Sequence, residues 1–216
     1  MFARKTGGKS VGPVVLGPPL QRQCCRDAIR IYGWPSPQFP AAAASTVSGV
    51  TSHETCEQCH FDGGTFDDHA LLAAIRELGP RWRAALDASG DRLRVRPAPG
   101  VWSPLEYAAH TRDITALHIF GVEQALTGTE PVLPAVDPGL ADAVADDYAD
   151  EDPEAVTIAI EREANKLADL AEAAGPDAWQ HGITLGADRS DVRQLLKHAL
   201  HDSVHHLDDV ARELQS

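Results

Sequence analysis

The chain has 216 residues, of which 43% are hydrophobic and 24% charged, and its formal net charge is −13. The length fits one domain with an added segment, and the composition excludes a chain that is disordered throughout. The negative charge disfavours binding to nucleic acid or anionic lipid, and no apolar run approaches the roughly 18 residues of a spanning helix. We expect a cytoplasmic protein that binds neither nucleic acid nor membrane.

The first 52 residues differ in character from the rest. They hold six basic residues and one acidic residue, whereas the remainder holds 13 basic and 31 acidic residues. Glycine and proline recur there without apolar periodicity, which predicts a disordered extension over 1–55. Three alternatives are an export signal, which would need a longer apolar stretch than Val14–Leu16, an organelle transit peptide, and translation that begins near Val47 or Val50.

Two of the four cysteines, Cys56 and Cys59, lie in a short lead-in segment, 56–66, before the first predicted helix. Their spacing is that of half a zinc knuckle, with His53 and His60 close by, but a second cysteine pair at the usual distance is missing. The sequence leaves three interpretations open: two reduced thiols without a special role, a metal site completed by nearby histidines, or a redox pair.

The acidic part of the chain begins with two helical patterns. Apolar residues recur at steps of three and four over 71–86, and Pro80 should kink or divide this first helix. Ser103 and Glu106 form a capping-box pattern around a proline, which predicts a second helix over 104–126.

Two more helices are predicted in the second half of the chain. The third spans 153–174, and the fourth, capped by Asp188 or Ser190, reaches Leu214. The connections 134–152 and 179–188 are predicted to be irregular, and Arg92–Val95 is the only brief candidate for a strand. Four helices with long connections predict an all-α fold, a four-helix bundle with crossover connections, over 67–216.

The fourth helix concentrates side chains that bind metals. Residues four apart are neighbours on a helix, so His201 with His205, Asp202 with His206, or His198 with Asp202 could share an ion. At 100° per residue, Asp202 and His206 border the apolar face, whereas His201 and His205 point largely to solvent.

His110 on the second helix shares a stripe with Ile114 and Leu117, so it should also reach the bundle interior. Buried imidazoles beside a buried carboxylate are costly without partners, and a divalent ion would satisfy all of them. Three protein ligands would leave a coordination position open, as in catalytic zinc sites. The alternative is that the last-helix histidines lie on the surface and that His110 is a core residue bonded to Asp113 or a backbone carbonyl.

Two stretches carry a family resemblance, VWSPLEYAAHTRD at 101–113 and HALHDSVHHLDDV at 198–210. They resemble the DinB-like superfamily, which includes mycothiol-dependent maleylpyruvate isomerases and bacillithiol transferases, and the resemblance spans about 67–214. It implies a four-helix bundle that holds a divalent metal, expected to be Zn²⁺ with Ni²⁺ or another ion as alternatives. The ligands would be one histidine near the start of the second helix and a pair spaced by four on the last.

Carried onto this chain, the resemblance makes His110, Asp202 and His206 the metal ligands. Asp209, one turn beyond His206, is a candidate acceptor for the ring N–H of His206. Asp202 departs from the pattern, because many members have histidine there and the mycothiol-dependent isomerases have glutamate. The alternative register pairs His201 with His205 and restores an all-histidine set.

The thiol-dependent relatives use the metal to lower the pKa of a small thiol, whose thiolate attacks an electrophile. The 15 arginines against 4 lysines indicate GC-rich coding, which is compatible with an actinobacterium and with mycothiol. The expected function is a mycothiol-like, thiol-dependent transferase or isomerase acting on a small molecule, and the alternative is a non-catalytic metal-binding stress or interaction protein. Trp102, Tyr107 and Trp179 are candidate pocket walls, although such aromatics are more often core. A homodimer formed through an exposed helix face is a further expectation.

Overall fold

Five α-helices make the four columns of a bundle in the computed structural model, which describes residues 54–135 and 147–215. The helices are α1 (Asp68–Arg76), α2 (Leu78–Ser89), α3 (Pro104–Thr127), α4 (Pro153–Ala174) and α5 (Val192–Gln215). The predicted all-α four-helix bundle is confirmed, and its first helix is divided before Pro80, between α1 and α2. Most of the predicted extension lies outside the described residues, and so does most of the connection before α4.

Consecutive columns of the bundle are not always neighbours. Helix α3 packs against α4 and α5, and α1 and α2 pack against the same two helices. The steps from α2 to α3 and from α4 to α5 therefore cross the bundle, which is why their connections are long. One consequence is that α3 and α5 face each other directly.

The start of α3 is fixed by the predicted capping box. The Ser103 hydroxyl accepts a hydrogen bond from the Glu106 amide, and Glu106 Oε2 accepts one from the Ser103 amide at 2.7 Å. Arg96 donates to the other carboxylate oxygen of Glu106 at 2.8 Å. Because both orphan amides are satisfied, the first turns of α3 hold a defined position.

A small sheet closes one end of the bundle. Strand β1 (Val132–Leu133) pairs in parallel with β2 (Gly182–Leu185), which pairs antiparallel with β3 (Asp188–Asp191). The predictions of an irregular 179–188 and of a strand at Arg92–Val95 were wrong. Strands this short show no alternation that a sequence pattern can reveal.

The start of α5 follows from this sheet. Because β3 extends to Asp191, the helix begins at Val192, and Asp191 accepts a hydrogen bond from the Gln194 amide at 2.8 Å. The predicted caps Asp188 and Ser190 were wrong, since both residues pair within the sheet.

The core falls into two hydrophobic clusters along the bundle axis. The first surrounds α1 and the sheet and includes Leu71, Ile75, Leu167, Trp179 and Leu196. The second surrounds α2 and the start of α3 and includes Trp82, Leu105, Ile160 and Val210. Among the described residues, none of the helices has both the length and the apolar character needed to cross a bilayer.

Candidate metal centre

His110 lies on the side of α3 that faces α5, two turns after the capping box. It is 7% exposed, and its ring centroid lies 5.0 Å from the Trp102 ring and 5.2 Å from the His206 ring. The fixed start of α3 therefore sets the position of this imidazole. The prediction that His110 reaches the bundle interior is therefore confirmed.

Helix α5 supplies a carboxylate and an imidazole opposite His110. Asp202 and His206 are one turn apart, with His206 Nε2 3.8 Å from Asp202 Oδ1. One candidate ligand atom from each of His110, Asp202 and His206 lies within 4.8 Å of the other two. We call these three residues the α3–α5 triad. Their role as ligands stays a prediction, but the structure brings all three together.

Asp209 orients the imidazole of His206. Its Oδ2 accepts a hydrogen bond from His206 Nδ1 at 3.0 Å. Burial raises the pKa of the Asp209 carboxyl, but the hydrogen bond from His206 and the nearby charges of His206, His205 and Arg212 outweigh it and lower that pKa below its ordinary value. An ionised Asp209 holds the proton of His206 on Nδ1, which leaves the Nε2 lone pair directed at the triad.

The donor set of the triad fits a divalent cation. Asp202 Oδ2 is buried and has no hydrogen-bond partner among the described residues. A buried carboxylate oxygen without a partner is costly, and a cation beside it removes that cost. Two imidazoles and one carboxylate also form a recognised ligand set for zinc and similar ions.

Two aromatic side chains wall the triad. The rings of Trp102 and His110 pack in a T-shaped arrangement, and Tyr107 stacks on His206 at 5.0 Å between ring centroids. Burial, followed by the charges of Asp209 and Glu213, raises the pKa of Tyr107 to about 12. Trp179, the third predicted wall, lies instead in the first core cluster, where its Nε1 donates to the Ala171 carbonyl at 2.9 Å.

A polar network beside His110 was missed by the sequence analysis. Asp113 accepts hydrogen bonds from Arg112 Nε at 2.7 Å and from the Tyr148 hydroxyl at 2.8 Å, and Arg112 also donates to Glu151. This network fixes the segment before α4 against α3. Tyr148 and Glu151 lie in an acidic stretch without periodicity, so no sequence pattern indicated these contacts.

A second cluster of possible ligands lies on the outer side of α5. The prediction that His201 and His205 point largely to solvent was wrong, because 17% and 25% of their side chains are exposed. The lead-in segment covers them: Phe61 stacks on His201 with ring centroids 4.8 Å apart, and Cys56 Sγ lies 3.6 Å from His205 Nδ1. The helical wheel considered only the bundle and not what packs outside it.

The two candidate ligand pairs on α5, Asp202 with His206 and His201 with His205, therefore belong to different clusters. Ligand atoms of His201 and His205 come together with those of Cys56 and Cys59, whereas His110 comes together with the other pair. Hydrogen bonding, first from the Cys59 backbone and then from His201, lowers the pKa of the Cys56 thiol to about 6. Burial raises the pKa of the Cys59 thiol.

A cavity of about 250 Å³ opens between the connection before α3 and the end of α5. It is lined by Arg92, Val95, Pro97, Pro104, Glu213 and Leu214. Burial, followed by the charge of Asp209, raises the pKa of Glu213 to about 7. The α3–α5 triad does not line this cavity.

The family model of the DinB superfamily matches residues 70–210. This chain belongs to the DinB superfamily. Among solved structures, the chain is similar to YfiT from Bacillus subtilis, described as a probable metal-dependent hydrolase with an unusual four-helix bundle topology. The TM-score is 0.62 at 15% identity, over 68% of this chain and 86% of that chain, so the likeness concerns the fold alone. A comparison with curated proteins gives no match.

Proposed function

We propose that this DinB-superfamily protein is a divalent-metal-dependent enzyme that activates a small thiol for transfer to, or isomerisation of, an electrophilic small molecule. The observation that carries the proposal is the α3–α5 triad, in which three candidate ligand atoms from two facing helices lie within 4.8 Å of one another. The buried Oδ2 of Asp202, which has no hydrogen-bond partner among the described residues, supports it. Three protein ligands leave room for an exogenous one.

The charges of the triad favour an anionic nucleophile. His110 and His206 as neutral imidazoles and Asp202 as a carboxylate contribute one negative charge, so a divalent ion leaves a net positive site. When bound, such an ion lowers the pKa of a thiol or water molecule that it holds. A site with residual positive charge stabilises the resulting anion rather than the neutral thiol.

Three residues around the triad set its ligand geometry and the surface offered to a substrate. Asp209 keeps the proton on His206 Nδ1, so that the other nitrogen stays available as a ligand. Trp102 and Tyr107 exclude water from one side and offer apolar surface to a substrate. Tyr107 keeps its phenolic proton at neutral pH, so it can act as a hydrogen-bond donor and not as a base.

The test is thiol-dependent conjugation of monochlorobimane by untagged protein, with metal content measured by mass spectrometry on the same samples. We expect turnover with a small thiol that is lost in His110→Ala and His206→Ala together with one equivalent of metal. His69→Ala, an exposed histidine on α1, is the matched control and should keep both.

Three outcomes separate the alternatives. Ester hydrolysis without any thiol requirement would contradict the thiol part of the proposal and assign water as the nucleophile, as the description of YfiT suggests for that protein. Metal without turnover of either kind would favour the non-catalytic alternative. Turnover that survives His110→Ala and His206→Ala would overturn the assigned site.

A further inference from the structure

The lead-in segment folds into a tight loop that presents its two cysteines to α5. Cys56 N donates to the Phe61 carbonyl at 2.9 Å, and Gly63 N donates to the Glu54 carbonyl at 2.8 Å. His60 takes a positive φ of 57°, which turns the chain back after Cys59. The loop thus brings both sulfur atoms to the same side, over His201 and His205.

The four side chains have the spacing of a metal site. Candidate ligand atoms of Cys56, Cys59, His201 and His205 all lie within 4.8 Å of one another. Zn–S bonds of about 2.3 Å and Zn–N bonds of about 2.0 Å place neighbouring sulfur and nitrogen ligands about 3.5 Å apart in a tetrahedral site. The observed distance from Cys56 Sγ to His205 Nδ1 is 3.6 Å.

In each histidine of this cluster, the ring nitrogen that is not directed at the cysteines lies beside a carboxylate oxygen. His201 Nδ1 donates to Glu54 Oε1 at 2.5 Å, which leaves its buried Nε2 for the cluster. His205 Nε2 lies 3.7 Å from Asp209 Oδ2, which leaves Nδ1 for the cluster. Histidine ligands of metals are regularly oriented by such carboxylates.

We propose that Cys56, Cys59, His201 and His205 form a second metal site, a closed tetrahedral Zn²⁺ site that fastens the lead-in to the outer side of α5. Two thiolates and two neutral imidazoles balance the charge of Zn²⁺. With four protein ligands the site has no open position, so its role is structural. This proposal stands apart from the catalytic one, because the two sites share no ligand.

A metal would stabilise the position of the lead-in segment, because the segment buries few apolar side chains of its own. Phe61 is its one large apolar side chain that is fully covered among the described residues of the segment, at 6% exposure. The alternatives are a redox pair formed by the two thiols, and a carboxylate–imidazole site at Glu54, His198 and His201, whose ligand atoms also lie within 4.8 Å. Thiolate ligation distinguishes the closed site from both.

The experiment is metal loading of the full-length, untagged chain under reducing conditions, with Co²⁺ as a spectroscopic substitute for Zn²⁺. We expect about two equivalents of metal, of which one gives thiolate-to-cobalt charge-transfer absorption and tetrahedral d–d bands. Cys56→Ser with Cys59→Ser should remove that equivalent and its absorption. His110→Ala with His206→Ala should remove the other equivalent and leave the absorption intact.

His198→Ala is the matched control and should keep the charge-transfer absorption, since His198 belongs only to the alternative cluster with Glu54. Hydrogen exchange gives a second readout: chelation should release protection over 54–66 while α3 and α4 stay protected. Cobalt binding without thiolate absorption, or a Cys56–Cys59 disulfide that persists under reducing conditions, would overturn the proposal. A protein that fills only the cysteine site would contradict the proposed function and leave this inference standing.

Discussion

Burial in the bundle keeps the imidazole of His118 uncharged near neutral pH. It is 8% exposed on α3, and its Nδ1 donates to the Ile114 carbonyl at 2.8 Å. Burial and, after it, the charge of His198 lower its pKa from 6.5 to about 4, although the Ile114 carbonyl and the charges of Asp202 and Glu54 oppose this. Protonation is therefore easier in the unfolded chain than in the folded one.

We expect the free energy of unfolding of the His118→Asn variant to fall less at acid pH than that of the unchanged protein. A folded-state pKa of about 4 below an unfolded value of 6.5 means that stability is fully present above pH 6.5 and falls as the pH drops toward 4. At about 1.4 kcal/mol for each pH unit between the two values, this amounts to about 3 kcal/mol. Asparagine can still donate to Ile114 but does not titrate.

The measurement is the free energy of unfolding by urea between pH 8 and pH 4.5, for both proteins. The difference between them cancels what they share, including acid-induced release of metal. Two curves that stay parallel across this range would contradict the assigned role of His118.

At the scale of elements, α2 and α4 approach closely at Gly79. A Cβ built on this glycine would lie 2.5 Å from Glu161 Cβ and 2.7 Å from Glu161 Cα, so it would meet the backbone of the neighbouring helix. We expect Gly79→Ala to push the helices apart and to lower the free energy of unfolding by about 1–3 kcal/mol. Urea denaturation followed by circular dichroism measures this.

Gly121→Ala is the matched control within α3. The added methyl group would meet only the flexible end of Leu195, at 3.3 Å, while alanine favours the helix by about 1 kcal/mol over glycine. We expect a stability change of less than about 1 kcal/mol. A larger loss of unfolding free energy for Gly121→Ala than for Gly79→Ala would contradict the close approach of α2 and α4 as the cause of the destabilisation.

Helix boundaries could be predicted where the signals are local. The start of α3 and both ends of α4 agree with the sequence analysis because Ser103, Pro153 and Gly175 lie beside the ends that they define. Strand β1 could not be found, since it has only two residues and its partner β2 lies about 50 residues later in the chain. A short strand acquires its identity from pairing and not from its own pattern.

The same distinction applies to the candidate site. Periodicity placed His110, Asp202 and His206 near the interior because a helical wheel shows which residues share a face. It could not show what covers the opposite face of α5. The partners of His201 and His205 come from Glu54, Cys56 and Phe61, more than 130 residues away in sequence.

At the scale of the whole molecule, the two hydrophobic clusters are joined by three helices. Helices α3, α4 and α5 contribute side chains to both clusters, so neither cluster can open without disturbing elements of the other. Trp179 reports on the first cluster and Trp82 on the second, and both are at most 2% exposed. We therefore expect the described parts of the bundle, residues 68–135 and 147–215, to unfold in one cooperative step.

The measurement uses two variants loaded with zinc, each carrying Trp34→Phe and Trp102→Phe together with either Trp82→Phe or Trp179→Phe, so that a single tryptophan remains. Within each variant, the urea transition seen by tryptophan fluorescence should coincide with the one seen by far-ultraviolet circular dichroism. Comparison within one variant removes the effect of the substitution on stability. A fluorescence transition that precedes the loss of helix in either variant would show that one end of the bundle opens by itself.

Asp209 Oδ2 lies 3.0 Å from His206 Nδ1 and 3.7 Å from His205 Nε2, so one carboxylate oxygen lies beside imidazoles of both proposed metal sites. An ion on either ring makes that ring a stronger donor and draws the shared oxygen toward it. If both proposed sites bind an ion, the two binding events are coupled, and reciprocity requires each ion to change the affinity of the other by the same factor. Substitution of Asp209 would thus change how strongly the release of one ion by a chelator affects the release of the other.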